Sequence, residues 1–130
     1  MIDMRSILAV GIGAAIGGIA RYLIGQWFLQ RFGPGFPYGT LFINVTGSFL
    51  IGIIAELAAT RAFGVSSTVR LFVATGILGG YTTFSTFSLD AVTLFGEGAS
   101  LLSYLYMGAS VVLGFFAAYL GFITARITPP

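Results

Sequence analysis

The sequence predicts an all-α membrane protein built from four transmembrane helices. Three observations carry that reading. Hydrophobic residues make up 57% of the 130 and charged ones only 8%, too few for the charged shell of a soluble domain. Mean hydropathy is +0.99. The apolar residues fall into four stretches of about 20 residues or slightly more, the length that crosses a bilayer as a helix. Together they leave room for a single domain, residues 1–130.

The same composition excludes several classes of function. The chain has no Cys and no His, which removes thiolate nucleophiles, imidazole bases and most transition-metal sites. The acids Asp3, Glu56, Asp90 and Glu97 form no catalytic pair in the sequence, so an enzyme is not expected. Its six cationic residues are all Arg and are scattered, so no nucleic-acid groove is expected. The N-terminal apolar run lacks the short hydrophobic core and cleavage site of a signal peptide. It reads as the first span.

That first span runs from Ser6 to about Gln30 and ends at "RFGPGFPYG", where glycines and prolines punctuate the chain. "GIGAAIGG" places Gly13 and Gly17 four apart, which lets another helix backbone approach closely. The second span runs from Gly39 to about Thr60, and residues Arg61 to Arg70 form a short polar connection. The third runs from about Val69 to Phe95 and is closed by "GEGAS". The fourth runs from Leu101 to about Thr124, followed by Arg126 and two prolines. Four spans put both termini on one side. Arg5, Arg61, Arg70 and Arg126 flank that side and Arg31 the other, which favours cytoplasmic termini.

Polar residues inside the spans are patterned. Thr40, Asn44 and Ser48 recur every four residues and so share a helix face. Asn44 could hold a neighbouring helix by hydrogen bonds, or offer its amide donors to a passing anion. On the fourth span Ser103, Tyr106, Ser110 and Gly114 repeat the pattern. Both stripes are uncharged, as the walls of an anion path could be. Within the third span, "GILGGYTTFSTF" interrupts an apolar run with glycines and hydroxyls. Val69 to Leu78 supplies about 15 Å of helix, half a bilayer. Gly79 and Gly80 follow, then Tyr81, Thr82 and Thr83, before Thr83 to Phe95 could supply the other half. Glycine is a poor helix former, and threonine hydroxyls compete for backbone bonds. A break at the membrane midplane is therefore expected there, and such breaks often mark ion sites. Beyond it, Phe84 and Phe87 lie three apart, interleaved with Ser85, Thr86 and Ser88. Aromatic ring edges carry partial positive charge and can meet an anion without holding it tightly.

Three blocks, "GGIARY" at 17–22, "GTLFINVTGSFLIG" at 39–52 and "GILGGYTTFSTF" at 76–87, resemble the small fluoride channels of the Fluc or CrcB family. With length and span count, the resemblance covers essentially the whole chain. It implies an antiparallel, dual-topology homodimer in the bacterial plasma (inner) membrane, with two fluoride pathways along the interface. It implies passive export of cytoplasmic fluoride. Asn44, Phe84, Phe87, Ser85, Thr86, Tyr106 and Ser110 would line the pathway, with Arg21 near an aqueous vestibule. The backbone carbonyls of Gly79 and Thr82, from both subunits, would hold a structural Na+. Asp90 stands where many members carry Glu, and Gly114 where some carry Ser. A proton-coupled multidrug exporter is an alternative of similar span number and dual topology. It needs a carboxylate deep in the first span, where this chain has Arg21. A non-conducting structural membrane subunit is the other alternative, and it predicts no ion current.

Overall fold

The computed structural model describes residues 3–60 and 66–127. Every regular element among them is helical. Arg61, one of the flanking arginines, and the two terminal prolines lie outside the described residues. Helix α1 spans Met4–Phe32 and α2 spans Tyr38–Ala59. A helical rod, α3, covers residues 67–81 in three contiguous pieces: Ser67–Arg70 in α form, Leu71–Leu78 in π form and Gly79–Tyr81 in α form again. Helix α4 spans Phe84–Gly96 and α5 spans Ser100–Ile127. Of these, α1, α2 and α5 are each long and apolar enough to cross a membrane.

The ends are set by ordinary capping chemistry. The Asp3 carboxylate accepts from the Ser6 backbone N–H at 2.6 Å and caps α1. That hydrogen bond holds the Asp3 carboxyl below the usual carboxylate range. Gly33, with φ 76°, closes α1 and returns its N–H to the Leu29 carbonyl. Ser66 caps α3 by accepting from the Val69 N–H. Gly98, with φ 79°, makes the turn from α4 into α5.

Packing pairs α1 with α3 and α2 with α5. The first pair meets backbone to backbone. A Cβ at Gly13 would strike the Phe72 carbonyl oxygen, and one at Gly17 the Ile77 carbonyl oxygen. Gly80 lies as closely against the Ala14 backbone. With no hydrophobic effect to separate helices from lipid tails, close approach of this kind supplies the van der Waals attraction that holds spans together. Ile43, Leu78 and Tyr81 form one buried cluster; Ala91, Leu94 and Tyr106 form another. Large apolar side chains such as Ile12, Ile19, Leu23, Val112, Phe115 and Phe116 point outward, as in a protein solvated by acyl chains.

The interruption after α3 falls at the threonines of that stretch and not at its glycines. Gly79 and Gly80 are helical; the extended residues are Thr82 (ψ 158°) and Thr83 (φ −154°, ψ 117°). Propensity at the glycines is overridden by the contact that Gly80 makes with α1. At Thr83, side chains compete for the backbone instead, as the next subsection describes.

Candidate functional site

Thr83 is the centre of the polar network. The Asn44 side chain on α2 donates from Nδ2 to the Thr83 carbonyl at 3.0 Å and accepts the Thr83 N–H on Oδ1 at 2.8 Å. The amide thus pairs with both backbone groups of one extended residue, as a neighbouring β-strand would. The Thr83 hydroxyl caps α4 by accepting from the Thr86 N–H at 3.1 Å. It also donates to the Thr86 hydroxyl at 3.0 Å and lies 3.2 Å from the Ser85 hydroxyl. The Thr82 hydroxyl turns back to the Leu78 carbonyl at 2.9 Å, and the Thr82 N–H reaches the same carbonyl.

An open cavity of about 390 Å³ adjoins this network. Asn44, Gly79, Thr82, Phe84, Phe87 and Ser110 line it together with Ser48 and Thr83, and none of its lining residues is titratable. The two polar stripes therefore meet: Asn44 and Ser48 from α2, Ser110 from α5. Gly114 stands beside them, since a Cβ there would lie 3.6 Å from the Ser48 hydroxyl oxygen. The Ser110 hydroxyl is buried and has no hydrogen-bond partner among the described residues. A buried hydroxyl without a partner is costly unless something else satisfies it. Phe84 is 79% exposed. Its ring centroid lies 5.5 Å from that of Phe87, which lies 5.3 Å from that of Tyr106.

Other expected residues sit outside this cavity. Ser85 and Thr86 belong to the Thr83 hydroxyl cluster. Tyr106 is fully buried and donates its hydroxyl proton to Asp90 Oδ2 at 3.1 Å. The shorter arm of Asp90 still reaches this partner. A second cavity of about 260 Å³, between the 33–37 loop and α2, is lined by Thr40 and Asp90 among others. Thr40 thus leaves the stripe it shares in sequence with Asn44. Ser103 donates to the Ala91 carbonyl at 2.8 Å, tying α5 to α4 rather than lining a path. Arg21 is half-buried on α1, lines neither cavity, and forms no salt bridge among the described residues.

Two features were not foreseen from sequence. One is the pairing of Thr83 with Asn44: the sequence marks Thr82 and Thr83 only as hydroxyls that compete for backbone bonds. The other is the ion pair between buried Glu56 and Arg126 (3.1 Å), which joins the last turns of α2 and α5.

The fold and this uncharged cavity between apolar helices define a multi-pass membrane protein. Comparison with known proteins narrows the class. The pattern of the CrcB-like proteins (camphor resistance, CrcB) matches residues 8–122, and the chain belongs to that family. A fluoride-specific ion channel from Rhizobium meliloti (strain 1021) is 52% identical over 123 residues, which cover 95% of this chain and 98% of that protein. One from Agrobacterium fabrum is 50% identical over the same coverage. Another, from Trichormus variabilis, is 44% identical over 95% of this chain and 90% of its own length.

Proposed function

We propose that this protein is a fluoride-selective channel that lets cytoplasmic fluoride leave a bacterial cell passively; it is a channel, not an enzyme. The observation that carries the reading is the partnerless Ser110 hydroxyl at an uncharged cavity shared with Asn44 and the Phe84–Phe87 pair. Fluoride is small and strongly hydrated. Neutral donors and ring edges can stand in for part of its water without binding it so tightly that it stays. The N-terminus of α4 opens on the same cavity through Thr83 and Phe84. A helix N-terminus favours negative charge. Ser85, Thr86 and Tyr106 continue the path, and Arg21 serves its aqueous approach.

The working unit is an antiparallel homodimer inserted in both orientations. The third span of each subunit consists of α3 and α4, broken at Thr82–Thr83 near the membrane midplane. The polar faces of one copy need cover in lipid, and a second copy supplies it. The carbonyls of Gly79 and Thr82, two from each copy, would hold a Na+. Their fit to a monovalent ion rests on two points. Gly79 lines the cavity, and a Cβ there would meet nothing within 4 Å. No group of three or more metal-ligating side chains occurs among the described residues to favour a divalent ion. When bound, the ion supplies cross-subunit bracing and a fixed positive charge.

The test is ion efflux from liposomes carrying the purified protein. Fluoride should leave rapidly and chloride should not. Equal rates for both anions, or no fluoride current from assembled protein, would overturn the assignment.

A further inference from the structure

An α-helix continued past Thr82 would send the Thr83 N–H to the Gly79 carbonyl, four residues back. In this fold Thr82 still makes its helical bond, to the Leu78 carbonyl at 2.9 Å. Thr83 does not follow: its N–H goes to Asn44 Oδ1 at 2.8 Å, while Asn44 Nδ2 takes the Thr83 carbonyl at 3.0 Å. The diverted donor belongs to the Gly79 carbonyl, and Gly79 lines the same cavity as Asn44.

We propose that Asn44 is a positioning residue: by pairing both ends of its amide with the Thr83 backbone, it keeps the Gly79 carbonyl out of the helix ladder and available to a cation. The proposal rests on the Na+ reading above and gives that site a determinant on a different helix. Asn44 then acts on conduction through the backbone of the broken span. Its side chain has one carbonyl oxygen, which faces Thr83, and two N–H donors, one of which is spent on Thr83. The geometry demands an acceptor and a donor side by side on a short arm. Aspartate offers that combination only when protonated, with its carbonyl accepting and its O–H donating. As a carboxylate it can accept but not donate. No titratable side chain lines the cavity around position 44, so acid acts locally on the introduced carboxyl alone.

The experiment titrates Na+ against an organic cation and reads subunit cross-linking in liposomes. In parallel it reads hydrogen exchange of the Thr83 amide, for wild type, N44D and N44A. Wild type should show a Na+ midpoint that does not move with pH, and a protected Thr83 amide. N44D should need roughly tenfold more Na+ at neutral pH, the cost of one buried hydrogen bond. Its midpoint should return toward wild type on acidification. N44A should stay shifted at every pH, its Thr83 N–H returning to the Gly79 carbonyl. If N44D keeps the wild-type Na+ midpoint at neutral pH while its fluoride flux falls, Asn44 meets the anion directly and the positioning role is overturned. An unprotected Thr83 amide in wild type, or an N44A variant that keeps the wild-type Na+ midpoint, overturns it too. If wild type assembles and conducts identically without Na+ but its Thr83 amide is protected, the cation half of the proposal fails along with the Na+ reading, while the Asn44–Thr83 pairing stands.

Discussion

The Ser110 hydroxyl donates to nothing among the described residues. Removing it breaks no internal bond and takes away an unsatisfied buried group, so Ser110→Ala should leave thermal stability unchanged or raise it by up to about 1–3 kcal/mol. If the hydroxyl serves a passing anion, fluoride flux should fall while chloride stays excluded. Unchanged efflux from this variant would remove Ser110 from the path. The phenylalanines differ from one another. Phe84 is largely exposed, so Phe84→Ile should cost little stability and lower flux through the lost ring edge. Phe87 is packed between Phe84 and Tyr106, so Phe87→Ile should also lose about 0.5–1.5 kcal/mol of ring contact. Efflux measured beside cross-linking separates the two effects. Normal conduction by both Ile variants would make the rings packing residues only.

At the scale of elements, the seam between α1 and α3 is made of backbone. Gly13 faces the Phe72 carbonyl and the Gly76 backbone, whereas a Cβ on Gly11, two residues earlier, would meet nothing within 4 Å. Gly13→Ala should therefore destabilise by about 1–3 kcal/mol through overpacking, and Gly11→Ala should be tolerated. Thermal unfolding in detergent distinguishes them, and equal behaviour would mean that the seam is looser than its geometry. Much of this level is legible in sequence. Span lengths follow from hydropathy, and observed ends lie within a few residues of those read from the sequence, because Gly33, Gly98 and the caps leave local signals. The partner that holds Thr83 out of the helix is not legible. Poor propensity at Gly79–Gly80 is a local property, but Asn44 acts on Thr83 from 39 residues away. The same holds within the site. Four-residue spacing puts Thr40, Asn44 and Ser48 on one face, yet only the packing of neighbouring helices sends Thr40 to a different cavity from the other two.

At the scale of the whole molecule, the outward Ile, Leu, Val and Phe side chains leave lipid as the solvent. The described residues hold one ion pair, Glu56–Arg126, which lines neither cavity. The absence of charged side chains around the first cavity has a consequence for electrostatic screening. A channel that draws anions through exposed arginines loses their pull as mobile ions crowd around them. Here the main cavity has no charged side chain for such a cloud to mask. Over roughly a tenfold rise in ionic strength the Debye length shrinks about threefold. With fluoride, Na+ and membrane potential held constant and an inert organic salt added, efflux should stay nearly level. A steep decline would instead locate long-range attraction at the entrance, with Arg21 as its first suspect. A level response would mean that supply to the pore is set by the fluoride concentration in bulk water, so that export scales with the intracellular load and is indifferent to the saltiness of the surroundings.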